Sequence, residues 1–273
     1  MNYADKVTVK MVDVMGDDLT PILAAKVSFD RDDTNAETDV VLGWHDVELP
    51  CLYREQPLLS EKQQGLISYL ARGMSSKEFE ALSERLRAST DLSEVKELLW
   101  TFRKTPTHAA PFGHCFASFV VEAPVFVARQ LVKHEYLRMS EVSRRYVKGD
   151  PVYYKPATWH GIAEDVKQGS GKPLENPFSV VGAYLEAVRT ADQVYHELLL
   201  DVSPEEARMV LPLCHMTRWW WSGSLDAFAN MCNLRLDPHA QSLTREVAKQ
   251  ISDQMVQAFP YSWKALVLNA DKC

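Results

Sequence analysis

The sequence predicts an α+β fold in a single domain, mostly helical, around a small central antiparallel or mixed sheet. Apolar residues recur at helical spacing over several long stretches, while the β-prone runs are few, short and far apart. No internal repeat, low-complexity tract or flexible linker divides the 273 residues. A chain of that length buries a sizeable core without disulfides or metals.

From the N-terminus, Val7, Val9 and Met11 alternate with Thr8 and Lys10, the pattern of an opening strand, and Met15-Gly16-Asp17-Asp18 supplies a turn. A short helix follows through Leu23 and Ala25. Residues 31 to 57 read as polar and irregular. Leu66, Ile67, Leu70 and Ala71 return to helical spacing, and Ser75-x-x-Glu78 reads as a capping box for a helix carrying Phe79, Leu82 and Leu86. Residues 31–107 thus form an enlarged helical segment with no visible chemistry. Next comes the β-prone run His114 to Val121, ending at Glu122-Ala123-Pro124, where Pro124 can open the next helix at its first turn. Val180 to Leu200 reads as a long helix. Ser203-Pro204-Glu205-Glu206 combines an N-cap, an N1 proline and a capping glutamate. The last long helix is expected from about Ala240 to Phe259, with Leu243, Val247, Ile251 and Met255 as its buried stripe.

Composition excludes several function classes. The 46% hydrophobic and 25% charged content is that of a globular chain, and no apolar run approaches the ~20 residues of a membrane helix. No basic region followed by an apolar stretch opens the chain, so a cytoplasmic protein with no membrane role is expected. Five cysteines, odd in number and never spaced C-x-x-C, indicate neither a disulfide scaffold nor a metal site. A net charge of −7 disfavours nucleic acid as a partner.

Three clusters could carry chemistry. In the first, Gln130, Lys133 and His134 would share one face if the helix after Pro124 continues through them. Beyond them Ser143, Arg144 and Arg145 offer donors to a phosphate, and Glu141 offers an acceptor for a base or ribose. The alternative is a solvated charged helix and a loop. In the second, Arg218 precedes Trp219-Trp220-Trp221, either stacked on a ring or directed at an anion; Cys214-His215 is either a nucleophile beside its base or a core cysteine next to a histidine. The third runs from Asn233-Leu234-Arg235 through His239 and Gln241 to Arg245, which periodicity turns away from the buried stripe, toward solvent or a site. His108 and His114 are compatible with structural or functional roles.

In this order the clusters resemble the flavin-dependent thymidylate synthase (ThyX) family. The similarity begins at Val12-Asp13-Val14-Met15-Gly16-Asp17-Asp18-Leu19 and Ala24-Ala25-Lys26-Val27-Ser28-Phe29. It resumes at Pro111-Phe112-x-His114, at Ala123-Pro124 through Arg129-Gln130, and at Ser143-x-Arg145-Tyr146. It continues through Val210-Leu211-Pro212-Leu213, Thr217-Arg218-Trp219, Asn233-Leu234-Arg235 and His239-Ala240-Gln241 to Arg245. The resemblance implies one ThyX-like domain over residues 1–273 and a homotetramer with inter-subunit active sites. It also implies reductive methylation of dUMP at C5 to dTMP, with FAD as cofactor and NADPH and methylenetetrahydrofolate as co-substrates. Carried over by position, Gln130, Lys133, Glu141, Ser143, Arg144, Arg145 and Arg218 would hold the nucleotide, and Arg245, the catalytic candidate, would both contact it and polarise the uracil. His108, Ala110, Lys133, His134, Glu135, Arg138, Glu141, Asn233, Leu234, Arg235 and His239 would contact FAD. No enzyme cysteine is required, which favours the core reading of Cys214, and no metal is implied.

The departures concentrate in one place. The family signature Arg-His-Arg-x7-Ser begins here as Lys133-His134-Glu135, with Arg138 and Ser140 inside it and Ser143 retained at its end. Glu135 sets repulsion where a flavin diphosphate expects attraction, and Lys133 lacks the arginine fork. Arg138, one turn later on a continuing helix, is expected to pair with Glu135 or to take over the phosphate contact. A related C5 chemistry, hydroxymethylation of dUMP or methylation of UMP, is the rival reading. A non-catalytic nucleotide-binding homologue is a third, which the retained Arg218 and Arg245 oppose.

Overall fold

A computed structural model describes residues 1–27, 41–105, 107–147, 149–163 and 170–268. Ser28 and Phe29, the first part of the 31–107 segment and Cys273 lie outside the described residues. The elements run β1 (Asn2–Ala4), β2 (Thr8–Met15), α1 (Leu19–Val27), β3 (Gly43–Glu48), β4 (Tyr53–Leu58), α2 (Glu61–Arg72), α3 (Ser76–Ala88) and α4 (Leu92–Lys104). They continue with β5 (Phe116–Pro124), α5 (Val125–Leu131), β6 (Leu137–Glu141), β7 (Val152–Tyr154), α6 (Phe178–Leu198) and α7 (Pro204–Ala207). Last come β8 (Met216–Ser224), α8 (Leu225–Arg235), α9 (Ser242–Ala258) and α10 (Pro260–Leu266). The fold is α+β, with helices dominating and the strands in small sheets.

The main sheet has the order β2-β5-β8-β6. Its strands alternate as a sheet with one buried face must. On β8, Thr217, Trp219 and Trp221 are buried, while Arg218 and Trp220 face the other way and are exposed. Trp219 and Trp221 meet edge to face, their centroids 6.2 Å apart. The edge strand β2 is covered rather than left open: the Val9 amide donates to Gln250 Oε1 (2.9 Å) and the Met11 amide to Gln254 Oε1 (2.7 Å), two glutamines one turn apart on α9. A parallel pair, β1 with β7, matches Tyr3 to Tyr153.

The chain gathers into two compact units, one of Met1–Lys10, Ser118–Ser222 and Leu234–Ile251, the other of Met11–Ala117, Gly223–Asn233 and Ser252–Cys273. In the second, α10 packs on α2, and α1, α2, α3 and α4 pack in succession. Its turn after β2 needs Gly16: φ is +79°, and a Cβ there would stand 3.1 Å from Cys115 Sγ. The side chain of Arg54 on β4 donates to the Gly16 carbonyl (2.7 Å) and to that of Ala258 (2.5 Å), and Gln56 donates to the Gln257 and Ala258 carbonyls, capping the end of α9. Asp18, buried, accepts from the Tyr261 and Ser262 amides at 2.8 Å each and so holds the first turn of α10.

Several expectations are corrected. The stretch 31–57 is not irregular where it is described: β3 and β4 form an antiparallel hairpin with Gly43 opposite Leu58 and Glu48 opposite Tyr53. Pro124 ends β5 and stands at the N-cap of α5 rather than inside its first turn. The helix does not continue through the first cluster. It stops at Leu131, residues 132–136 form turns in which Tyr136 takes a left-handed φ of 62°, and Arg138 lies on β6 instead of one helical turn beyond Glu135. The buried stripe of α9 keeps Val247, Ile251 and Met255, but Leu243 is only half-buried and Thr244 and Ala248 fill in. A further helix, α10, follows it. The capping box at Ser75 is present, with Ser75 Oγ accepting from the Glu78 amide and Glu78 from the Ser75 amide.

Candidate functional site

Two strand ends and a loop in the first unit build a cavity of about 1080 Å³. Glu141, the last residue of β6, and the following Ser143 and Arg144 line it, together with Arg218 from β8 and Glu122 and Arg129 from β5 and α5. The ladder extends past the strand, since the Val142 amide donates to the Arg218 carbonyl (2.9 Å) and so fixes the two chemistry-bearing segments side by side. Four of the residues singled out for a nucleotide, Glu141, Ser143, Arg144 and Arg218, therefore share one cavity.

Each has a definite local partner. Thr217, buried next to Arg218, donates its hydroxyl to Glu141 Oε1 at 2.8 Å. Arg218 Nη1 stands 3.8 Å from Glu122 Oε1 with both side chains largely exposed, a pairing too solvated to tie the arginine down. Strand alternation, not ring stacking, decides where Arg218 goes: it leaves Trp219 and Trp221 on the opposite face. Arg144 donates to the Gly149 (2.5 Å) and Asp150 (3.3 Å) carbonyls. Arg145 stays exposed, its guanidinium over the Tyr146 ring and its Nε donating to Ser143 Oγ at 3.2 Å. Arg145, Gln130, Lys133 and Arg245 are not among the cavity-lining residues.

His215 also lines the cavity. Burial pulls its pKa below the usual imidazole value, the Pro212 carbonyl opposes, and the Arg144 charge lowers it further. The neutral ring donates Nδ1–H to that carbonyl (2.9 Å), which leaves Nε2 as an acceptor. Its neighbour Cys214 is half-buried, so the core reading is corrected; its backbone carbonyl accepts from the Tyr154 amide of β7. Sequence reasoning passed over Glu122 and Arg208 and gave no role to Arg129 and Thr217, although all four line the cavity. The signal for Glu122 was present, a carboxylate closing an apolar strand; for Arg208, exposed beyond α7, there was none.

A second group sits around the start of α9. Thr244 donates to Gln130 Oε1 at 2.6 Å, and Gln130 Nε2 donates to Gln241 Oε1. Arg245 Nη1 donates to the Pro238 (2.5 Å) and Ala240 (3.3 Å) carbonyls, so its guanidinium is held by the turn that precedes its own helix. His239, exposed, donates Nδ1–H to Asp237 Oδ1 at 3.0 Å. Arg235 is half-buried and donates Nε–H to His134 Nε2 at 3.0 Å. Burial first, and then the Arg235 charge, lower the His134 pKa, so the acceptor ring is neutral and the positive charge of the pair is uncompensated. Lys133, Glu135 and Arg138 are exposed, and no ion pair joins Glu135 to Arg138.

The remaining candidates are used locally. Both ends of the Asn233 amide are engaged, Nδ2 donating to the Leu266 carbonyl (2.9 Å) and Oδ1 accepting from the Leu268 amide (3.1 Å). Leu234 is exposed. His108, exposed, stacks on Tyr69 with centroids 5.7 Å apart, and Ala110 opens a short 3-10 turn. Among the described residues no group of His, Cys, Asp and Glu is placed to hold a metal, and no helix is long and apolar enough to cross a membrane.

The sequence profile of the thymidylate synthase complementing protein family, Thy1, matches residues 10–261. The flavin-dependent thymidylate synthase of Thermotoga neapolitana is 29% identical over 269 residues, covering 98% of this chain and 94% of that protein. The protein of the same name from Ehrlichia ruminantium is 30% identical over 222 residues, covering 79% and 74% respectively. A crystal structure of the UMP/dUMP methylase PolB from Streptomyces cacaoi, bound with 5-Br dUMP, shares the fold with a TM-score of 0.68 at 22% identity, over 97% of this chain and 96% of that one. The chain belongs to the thymidylate synthase complementing protein family, together with the flavin-dependent thymidylate synthases it is similar to.

Proposed function

We propose that this chain converts dUMP to dTMP by flavin-dependent reductive methylation at C5, taking the carbon from methylenetetrahydrofolate and the reducing equivalents from NADPH. The observation that carries this reading is the single cavity shared by Glu141, Ser143, Arg144 and Arg218, in a chain matched by the family profile from residue 10 to 261. Arg218 and Arg144 supply charge for the nucleotide phosphate and Ser143 a hydroxyl donor. Glu141, fixed by Thr217, accepts from the ribose or base. Gln130 and the exposed Lys133 and Arg145, which do not line this cavity, are proposed as further nucleotide contacts in an assembly whose subunits share sites.

Arg245 polarises the uracil: a guanidinium beside the ring oxygen stabilises the negative charge that ionisation at N3 places there, and so activates C5. Its two carbonyl contacts hold it in place before substrate arrives.

The donor set fits a flavin diphosphate. Lys133, Arg138 and Arg235 carry three positive charges against the one negative charge of Glu135, and the partner of Arg235 is a neutral imidazole rather than a carboxylate. FAD would be held by Lys133, His134, Arg138, Arg235 and His239 toward the phosphates, and by His108, Ala110, Glu141, Asn233 and Leu234 elsewhere. Arg138 offsets Glu135 through the shared field, without a direct pair. Bound flavin supplies the two-electron reduction the methyl group requires. The assembly is a homotetramer in which subunits share sites. Titration of dUMP tests the cavity assignment: Arg218→Ala weakens binding at least about tenfold, as expected for a lost charge-assisted contact. Undiminished affinity would remove Arg218, and this cavity with it, from the nucleotide site.

A further inference from the structure

The second unit contains a cavity of about 490 Å³ on which the proposed reaction makes no demand. It is lined by His45 of β3, Gln64, Ser68 and Arg72 of α2, Ser76 of α3, and Tyr261 and Lys264 of α10. Its volume lies in the range of small-molecule sites. Its chemistry is one-sided: Arg72 and Lys264 line it and no aspartate or glutamate does. Asp18, which binds the Tyr261 and Ser262 amides, is not among the lining residues. No carboxylate forms an ion pair with Lys264 among the described residues.

Two polar atoms of this lining have no hydrogen-bond partner although both are buried, Ser68 Oγ and His45 Nδ1. Ser68 is 4% exposed. Buried polar groups are almost always bonded, so two orphans on residues of one cavity wall point to a ligand that completes them once their side chains turn toward the cavity. For Ser68 a single χ1 rotation re-aims the hydroxyl. Ser76, the first residue of α3, also lies in the cavity wall, while the helix N-terminus itself is already occupied by the Ser75–Glu78 capping box and its carboxylate. Arg72 is already anchored through Nε and Nη2 to the Ala265 and Lys264 carbonyls and contributes charge from a fixed position.

We propose that this cavity is a second ligand site, separate from the nucleotide site, which binds a small phosphate-bearing molecule through Lys264 and Ser68, with His45 and Arg72 in support. The proposal does not rest on the thymidylate reading, because none of its residues belongs to that site.

The test uses the full-length protein carrying Arg218→Gln, which weakens the proposed nucleotide site. Inorganic phosphate and ribose 5-phosphate are titrated calorimetrically in chloride buffer at constant ionic strength. Saturable binding is expected, at least about tenfold weaker after Lys264→Gln and severalfold weaker after Ser68→Ala. The unliganded Ser68→Ala protein should melt no lower than its parent, since the hydroxyl it loses has no partner. Tighter binding of ribose 5-phosphate assigns an organic phosphate; equal binding assigns the free ion. A second readout keeps the test valid if Arg218→Gln does not fold: in wild-type protein saturated with dUMP, the methyl signal of isotopically dimethylated Lys264, assigned by its loss in Lys264→Gln, should shift on adding phosphate. No saturable binding, an unmoved Lys264 signal, or binding indifferent to both substitutions overturns the proposal.

Discussion

Arg245 and Thr217 separate two kinds of residue in the proposed site. Arg245 is proposed to act on the uracil, so Arg245→Ala should lower turnover by at least about a hundredfold, the scale of losing one preorganised charge-stabilising donor, without lowering the melting temperature appreciably. Turnover like wild type would remove its role. Thr217 is proposed to act through Glu141, to which its hydroxyl donates. Thr217→Val keeps its shape and removes one hydrogen bond, so the KM for dUMP should rise roughly five- to tenfold with kcat little changed; an unchanged KM would mean that Glu141 needs no such support. Cavity-lining residues were legible in the sequence where a cluster of donors stood together, as at Ser143-Arg144, although Arg145 of the same run lies outside the cavity. Thr217 was visible only as a member of a motif, because its role depends on a strand pairing that brings residue 217 to residue 141. The neutral state of His134 was likewise hidden, since it follows from burial and from Arg235 a hundred positions away.

Among the elements, the sequence was most legible where local chemistry decides. Ser75-x-x-Glu78 forms the reciprocal cap that its spacing predicts. Ser75→Ala should cost about 1 kcal/mol in urea unfolding, and no loss would show that α3 is held by packing alone. The helix expected through Gln130, Lys133 and His134 failed for a physical reason. Spacing says which residues would share a face but not where the helix stops, and no glycine or proline marks the stop at Leu131. Tyr136 makes the turn in a left-handed conformation at a cost of about 1–2 kcal/mol, which the pairing of β6 in the sheet helps to offset. The start of α10 is held by Asp18 in a way that responds to pH. Burial lifts the Asp18 pKa to about 6, against the opposing hydrogen bonds from Ser262 and Tyr261. The folded protein therefore binds this proton more tightly than the unfolded chain. The resulting stabilisation is fully present below about pH 4 and is lost as the pH rises through about 6, amounting to roughly 3 kcal/mol. Chemical unfolding of wild type and Asp18→Asn across this range should show the downward slope only in wild type. Parallel curves would refute the assignment.

At the scale of the whole molecule, the fold class and the order of the motifs were legible, whereas the strands β6 and β8 that carry Glu141 and Arg218 were not. The β3–β4 hairpin was not, since its polar strands carry little apolar alternation and are held by Arg54 and Gln56 reaching the end of α9. The assembly should appear as a tetramer by light scattering, and a monomer at micromolar concentration would contradict shared sites. The chemical claim is sharper than any of these. Purified protein supplied with FAD, dUMP, methylenetetrahydrofolate and NADPH should yield a nucleotide whose mass and fragmentation are those of dTMP. A hydroxymethylated nucleotide, or unchanged dUMP from folded protein with flavin bound, would contradict the account.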